Sequence, residues 1–183
     1  MADIEITRYN ADHAKAIADE LIDVYTKVYD TPPYIGDPFF STAAFTDRLT
    51  AAFPSAGFET VVGRLDGRII GYVHGATLPA DKLWFTSLAD ARPKELVAAA
   101  EQGNVFWLRE LMVLPEVQSQ GIGRMLHDTT IDGRTEPWTT LTCMVDNEPA
   151  HSAYLRWGYR IMGQIKHAPE SPIYDAMALA PRR

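Results

Sequence analysis

The sequence predicts an α/β (α+β) protein, a mixed central β-sheet flanked by helices on both faces. Three observations carry that prediction. Alternating and amphipathic stretches follow one another in the order βααββ(α)βαβαββ. The run VFWLRELMVL is apolar on both faces, as a central strand covered on both sides must be. The glycine-bearing stretch QSQGIGRMLHD, residues 118–128, then joins that run to a helical segment.

Taken in order, IEITRY alternates and predicts a first strand. An amphipathic helix is predicted from Asp12 to about Val28, with Ile17, Leu21, Val24 and Val28 on one side. YDTPPYIGDPFF, with three prolines and four aromatics, interrupts it as a loop of unusual apolar content. Ser41 caps a second helix that carries Phe45, Leu49 and Phe53. TVVGRLDGRIIGYVHGATL predicts two strands joined by a tight turn at Asp66-Gly67. An excursion follows, with a short helix after Pro93, before the central strand VFWLRELMVL. The helix after the glycines leads to the strand TTLTCMV. EPAHSAYLRW is a further helix, stopped by Gly158, and YRIMGQI and IYDAMALA form a closing strand pair. No repeat or linker divides the 183 residues, so one domain over 1–183 is expected.

Composition narrows the function. A net charge of −7 disfavours nucleic acid, which needs a clustered basic face. It leans slightly toward cationic small molecules as ligands. No apolar stretch approaches the roughly 20 residues of a membrane helix. The opening MADIEITRYN has neither a basic region nor an apolar run, so a cytoplasmic protein without membrane partners is expected. Cys143 is the only cysteine, which rules out an internal disulfide and a thiolate metal cage. His13, His127, His151 and His167 show no ligand spacing, and no metal is expected.

A strand feeding a helix through glycines points unpaired N–H groups into one space, with the positive helix end behind them. That arrangement suits phosphate. The P-loop pattern is absent. A dinucleotide-binding reading has Gly121-x-Gly123 after a strand and Asp146 ending the next one. Leu126, however, occupies its third glycine position, where it should spoil the close helix–strand contact, and too little chain follows Asp146 for a doubly wound sheet. A second constellation favours another reading. Asn147, Ala150, Tyr154 and Gly158 fall at helical spacings of three, four and four.

Gln118-x-x-Gly121-x-Gly123, followed by Asn147-x-x-Ala150-x-x-x-Tyr154-x-x-x-Gly158-Tyr159, resembles the GNAT superfamily of acyl-CoA-dependent N-acetyltransferases. The proline-aromatic loop is similar to that of bacterial members. The resemblance implies a GNAT fold and an acetyl-CoA co-substrate. The backbone N–H groups of Gln118, Ser119, Gln120, Gly121, Ile122, Gly123 and Arg124 would cradle its pyrophosphate. The strand edge Leu111, Met112 and Val113 would pair with the pantetheine amides. Asn147, Ala150 and Tyr154 would complete the cofactor site, Asn147 serving equally as a helix cap. Ser119 departs from the family pattern, where glycine or arginine is frequent. A homodimer is compatible with the family.

Acyl transfer to an amine needs a neutral amine, a held carbonyl and a proton for the leaving thiolate. Tyr154 is the candidate acid by its motif register, or else a core tyrosine. Glu110 is the candidate base, because strand parity groups it with Phe106, Leu108, Met112 and Leu114 and so sets a carboxylate on an apolar face. A structural ion pair is the competing role, and His74 is the alternative base. Tyr34, Phe39 and Trp84, with Phe40, Phe85 and Trp107 beside them, are candidates to contact the acceptor, as is Glu110. The expected activity is direct attack of a small-molecule or peptide primary amine on acetyl-CoA in a ternary complex. The alternative is a non-catalytic acyl-CoA-binding or sensing domain of the same fold.

Overall fold

The computed structural model describes residues 3–32 and 34–182. In chain order it contains β1 (Glu5–Tyr9), α1 (Ala11–Ala16), α2 (Ala18–Tyr29), α3 (Thr42–Ala52), β2 (Glu59–Leu65) and β3 (Arg68–Thr77). Then come α4 (Leu83–Thr86), α5 (Lys94–Glu101), β4 (Val105–Val113), α6 (Ile122–Asp132), β5 (Trp138–Met144), α7 (Glu148–Arg156), β6 (Arg160–Ile165) and β7 (Tyr174–Leu179). Short 3-10 turns occupy Pro38–Phe40, Ala89–Ala91 and Pro115–Val117. Strands pair in the order β1-β2-β3-β4-β5-β7-β6, a mixed sheet in which β4 and β5 are parallel.

Two compact units share strand β4. The first holds the chain up to Ala76 together with Arg109–Gly133. Here β1 and β2 are antiparallel, as are β2 and β3, through the Asp66-Gly67 turn. Both turn residues have positive φ, 50° and 78°, which matches the hairpin to the strand twist. Ser41 caps α3 as expected, accepting from Ala44 N–H at 3.2 Å. The single helix expected from Asp12 is in fact two, broken at Ile17 (φ −112°, ψ 16°), which ends α1 and begins α2. Leu21, Val24 and Tyr25 face the core from α2, and Tyr72 on β3 donates to the Leu21 carbonyl at 3.1 Å.

Helix α6 lies close to this sheet, although Leu126 stands where a glycine was expected to be needed. The glycines are on the strands instead. A Cβ on Gly63 or Gly71 would lie 3.4 or 3.1 Å from the Leu126 side chain. Gly71 also lies close against β4, its neighbour in the sheet, since its Cβ would fall 2.6 Å from the Met112 carbonyl oxygen. Small strand residues thus accommodate a large helix residue, and Leu126 is fully buried.

The second unit holds Thr77–Leu108 and the chain from Arg134 onward. Helix α5 follows Pro93 as expected, whereas α4 has no side-chain cap and no sequence signal announced it. The closing strands β6 and β7 are antiparallel, and β7 inserts between β5 and β6. Gly158 stops α7 with φ 98°. No helix among the described residues is long and apolar enough to cross a membrane.

Candidate active site

In the first unit, β4 delivers Glu110 and then the glycine turn. Met112 and Leu114 are buried on the parity face expected of Glu110, and the Glu110 side chain itself is half-buried. Burial pushes its carboxyl up to about 7, against the opposing pull of Arg48 and Arg109. Those two cations are also the groups on which an ion-pair role would draw. The same field reaches two tyrosines. Burial first, and Glu110 next, raise the phenols of Tyr72 and Tyr25.

Arg48, on α3, was not singled out by sequence. It donates to the Tyr25 hydroxyl at 3.1 Å and to the Phe39 carbonyl at 3.0 Å. Its guanidinium also lies 5.2 Å from the Phe39 ring centroid. Nothing in the helical pattern marks it, because it falls beside the apolar face of Phe45 and Leu49 like any solvated arginine.

Beyond β4 the chain makes a 3-10 turn, and Gln118 folds back to donate from Nε2 to the Val113 carbonyl at 2.9 Å. Ser119 takes φ 62° and Gly121 φ 81°, both left-handed. Gly121 is the N-cap of α6, and no side chain caps that end. The first-turn N–H groups of Ile122 and Gly123 thus point outward with the helix dipole behind them, a setting for an anion. Gln118, Ser119, Gln120 and Gly121 are exposed. Arg124 pairs with Asp128 at 2.6 Å, one helical turn on. The side chains of Leu111 and Val113 lie 3.6 and 3.7 Å from where a Cβ on Gly123 would stand, so the strand end and the helix start meet at that glycine. Of the residues the sequence singled out, Leu111, Val113, Gln118 and Gly123 thus meet where β4 ends and α6 begins.

The proline-aromatic loop borders a cavity of about 220 Å³ in the same unit, with Tyr29, Asp30, Tyr34, Asp37 and Phe40 among its lining. Tyr29 stacks on Tyr25 at 4.3 Å and on Phe40 at 5.2 Å. Tyr34 lines this cavity, and Phe39 packs on Arg48 instead.

In the second unit, Asn147 caps α7 by accepting from Ala150 N–H at 3.4 Å. Tyr154 is buried, edge-on to the rings of Trp157 and Tyr159 at 5.4 and 5.5 Å. His151 Nε2 lies 2.7 Å from Asp175 Oδ2, which ties α7 to β7. Trp84 is buried 5.8 Å from Trp107, ring to ring. The buried Cys143 thiol is pushed up to about 12, chiefly by burial and then by Asp175, which keeps it protonated near neutral pH. Among the described residues no group of three or more His, Cys, Asp or Glu side chains is placed to hold a metal ion.

The model of the acetyltransferase (GNAT) family matches residues 16–159. The chain belongs to that family and is a GNAT-type N-acetyltransferase. Its fold is shared with a protein from Pyrococcus horikoshii at 22% identity and a TM-score of 0.67, over 99% of this chain and 100% of that one. It is shared with the PaiA N-acetyltransferase of Thermoplasma acidophilum, solved with coenzyme A, at 14% identity and a TM-score of 0.61, over 97% and 99%. A third likeness is YncA, a putative acetyltransferase of Salmonella typhimurium solved with acetyl-CoA, at 15% identity and a TM-score of 0.63, over 100% and 96%. No curated protein sequence matches the chain.

Proposed function

We propose that the enzyme moves the acetyl group of acetyl-CoA to a primary amine by direct attack, with Glu110 as base. The carrying observation is the half-buried Glu110 carboxyl, poised at about 7, on the strand that runs straight into an uncapped glycine turn. A carboxylate of that strength takes a proton from an ammonium group near neutral pH better than an ordinary one does. The amine nitrogen then bonds to the acetyl carbon and gives up a second proton, the carbon–sulfur bond breaks, and the leaving thiolate takes up a proton.

The backbone N–H groups of residues 118–124 are assigned to the pyrophosphate, and the Leu111–Val113 edge to the pantetheine amides. The complexes that two fold neighbours form with coenzyme A and acetyl-CoA support this reading. Tyr154 is assigned as the acid for the thiolate, and Asn147 and Ala150 as cofactor contacts, on their place in the second motif. The acceptor's site is assigned to the cavity beside Tyr34, where two carboxylates and three aromatic rings suit an ammonium group.

The test is melting with saturating acetyl-CoA and with NAD as control. Ligand at about 100 times its Kd raises the melting temperature by roughly 5–11 °C for a domain of this size. A shift with acetyl-CoA alone, followed by amine-dependent thiol release that drops in Glu110→Gln and in Tyr154→Phe, is the expected result. Turnover that survives either substitution removes that residue from the mechanism.

A further inference from the structure

The roles assigned so far leave one buried polar side chain on the first unit's sheet without a purpose. His74, on β3, is 2% exposed, and neither Nδ1 nor Nε2 finds a hydrogen-bond partner. The rings of Phe58 and Tyr72 flank it at 5.8 and 6.4 Å. Burial, and then Arg109 and Arg48, push its pKa down to about 3. The ring is therefore neutral at working pH and carries one N–H donor and one acceptor. Native interiors rarely leave such groups unmet, and where protein does not satisfy them ordered water does.

His74 lies close to the base. Leu114 N–H donates to the Ile70 carbonyl at 2.9 Å, and the next residue of β3, Gly71, lies against Met112 and Val113. Pairing advances along β3 as it retreats along β4, so the two strands are antiparallel, and the count brings His74 level with Arg109 and Glu110. Period-two alternation sets His74 on the face of Tyr72, whose hydroxyl lies in the field of Glu110.

We propose that His74 is a positioning residue of acetyl transfer: its imidazole and the Glu110 carboxylate hold ordered water between them, through which the acceptor's ammonium proton reaches Glu110. The proposal rests on the assignment of Glu110 as base. The ammonium gives its proton to the water as the water gives one to the carboxylate. The products are a neutral amine and a carboxylic acid, and the water is unchanged. The imidazole stays neutral throughout and orients the water by a single hydrogen bond. The other charged and titratable groups whose fields reach this pair are Arg48 from α3, Tyr25 from α2, Arg109 from β4 and Tyr72 from β3.

His74→Phe removes both ring nitrogens and keeps a ring, while His74→Gln keeps a donor and an acceptor. Each is assayed beside Glu110→Gln with acetyl-CoA and the primary amine that turns over in the parent. The acetyl-CoA melting shift serves as the control for fold and cofactor binding. The expected result is a kcat about 10- to 100-fold lower in His74→Phe, with KM for acetyl-CoA unchanged and most activity recovered in His74→Gln. Parental kcat in His74→Phe beside a loss in Glu110→Gln overturns the role of His74 and leaves the base standing. Parental turnover in Glu110→Gln removes the base, and the role of His74 with it. Should His74→Phe not fold, a high-resolution crystal structure of the parent decides. Water bonded to a His74 nitrogen and leading to Glu110 supports the proposal, and its absence there overturns it.

Discussion

Arg48 donates a hydrogen bond to the Tyr25 hydroxyl at 3.1 Å. The same guanidinium holds the Phe39 carbonyl, so one cation ties α2 and α3 to the end of the proline-aromatic loop. It also precedes Arg109 among the charges that hold the Glu110 carboxyl down against burial. Replacing Arg48 by methionine keeps the length of the side chain and removes that charge. The acidic limb of kcat/KM, expected near pH 7 in the parent, should move to higher pH in Arg48→Met and stay in place in Arg48→Lys. A limb that does not move in Arg48→Met would show that it belongs to another group.

For Glu110→Gln, turnover should fall by roughly 10²–10⁴-fold while the melting shift with acetyl-CoA survives. Rate and binding are separable here because the assigned cofactor contacts lie on residues other than Glu110.

The same carboxyl makes stability depend on pH. Its pKa rises on folding from 4.5 to about 7, so the folded state holds the proton more tightly than the unfolded one. Its contribution is complete below about pH 4.5 and lost as pH rises through 7. The group therefore costs on the order of 2 kcal/mol at pH 8 relative to pH 5. Glu110→Gln, which cannot ionise, should gain in melting temperature over the parent at pH 8 and not at pH 5. Equal differences at both pH values would contradict the raised pKa.

Two neighbouring glycines should fail for different reasons. Gly121 has φ 81° and open space around a would-be Cβ, so Gly121→Ala should cost roughly 1–2 kcal/mol through backbone strain. Gly123 has neither positive φ nor a clash, and its Cβ would make ordinary contacts at 3.6 and 3.7 Å. Gly123→Ala should leave melting nearly unchanged and weaken acetyl-CoA binding, because the methyl group stands at the edge assigned to the cofactor. Calorimetric unfolding and titration with acetyl-CoA separate the two effects.

Gly71 offers a test of the packing beneath α6. A methyl group there would meet the Met112 carbonyl oxygen at 2.6 Å, and backbone cannot swing aside as a side-chain tip can. Gly71→Ala should cost about 1–3 kcal/mol, read as a lower denaturation midpoint. Gly63→Ala, with its nearest neighbour at 3.4 Å, should cost less.

Local chemistry was legible wherever one residue decides one conformation. Ser41 as a cap, Asp66-Gly67 as a hairpin turn and Gly158 as a stop each act on their own backbone. Glu110 was legible because strand parity exposes a charge on an apolar face. The break at Ile17 was not, since Ala16, Ile17 and Ala18 include no breaker and Leu21 and Val24 continue the helical period across it. Arg48 and His74 were not legible as neighbours of Glu110 because tertiary folding, not spacing, brings three separate elements together. The close packing at Leu126 was not legible for the same reason, since the glycines that accommodate it lie on β2 and β3.

The left-handed residues of the turn bear on kinetics. Ser119 and Gly121 are held in their unusual angles by the chain itself, with Gln118 bonded back to Val113. A turn shaped during folding needs no ordering when an anion arrives. Association of acetyl-CoA should then follow a single exponential whose rate grows linearly with ligand concentration, without the plateau that a slow rearrangement of the turn would impose.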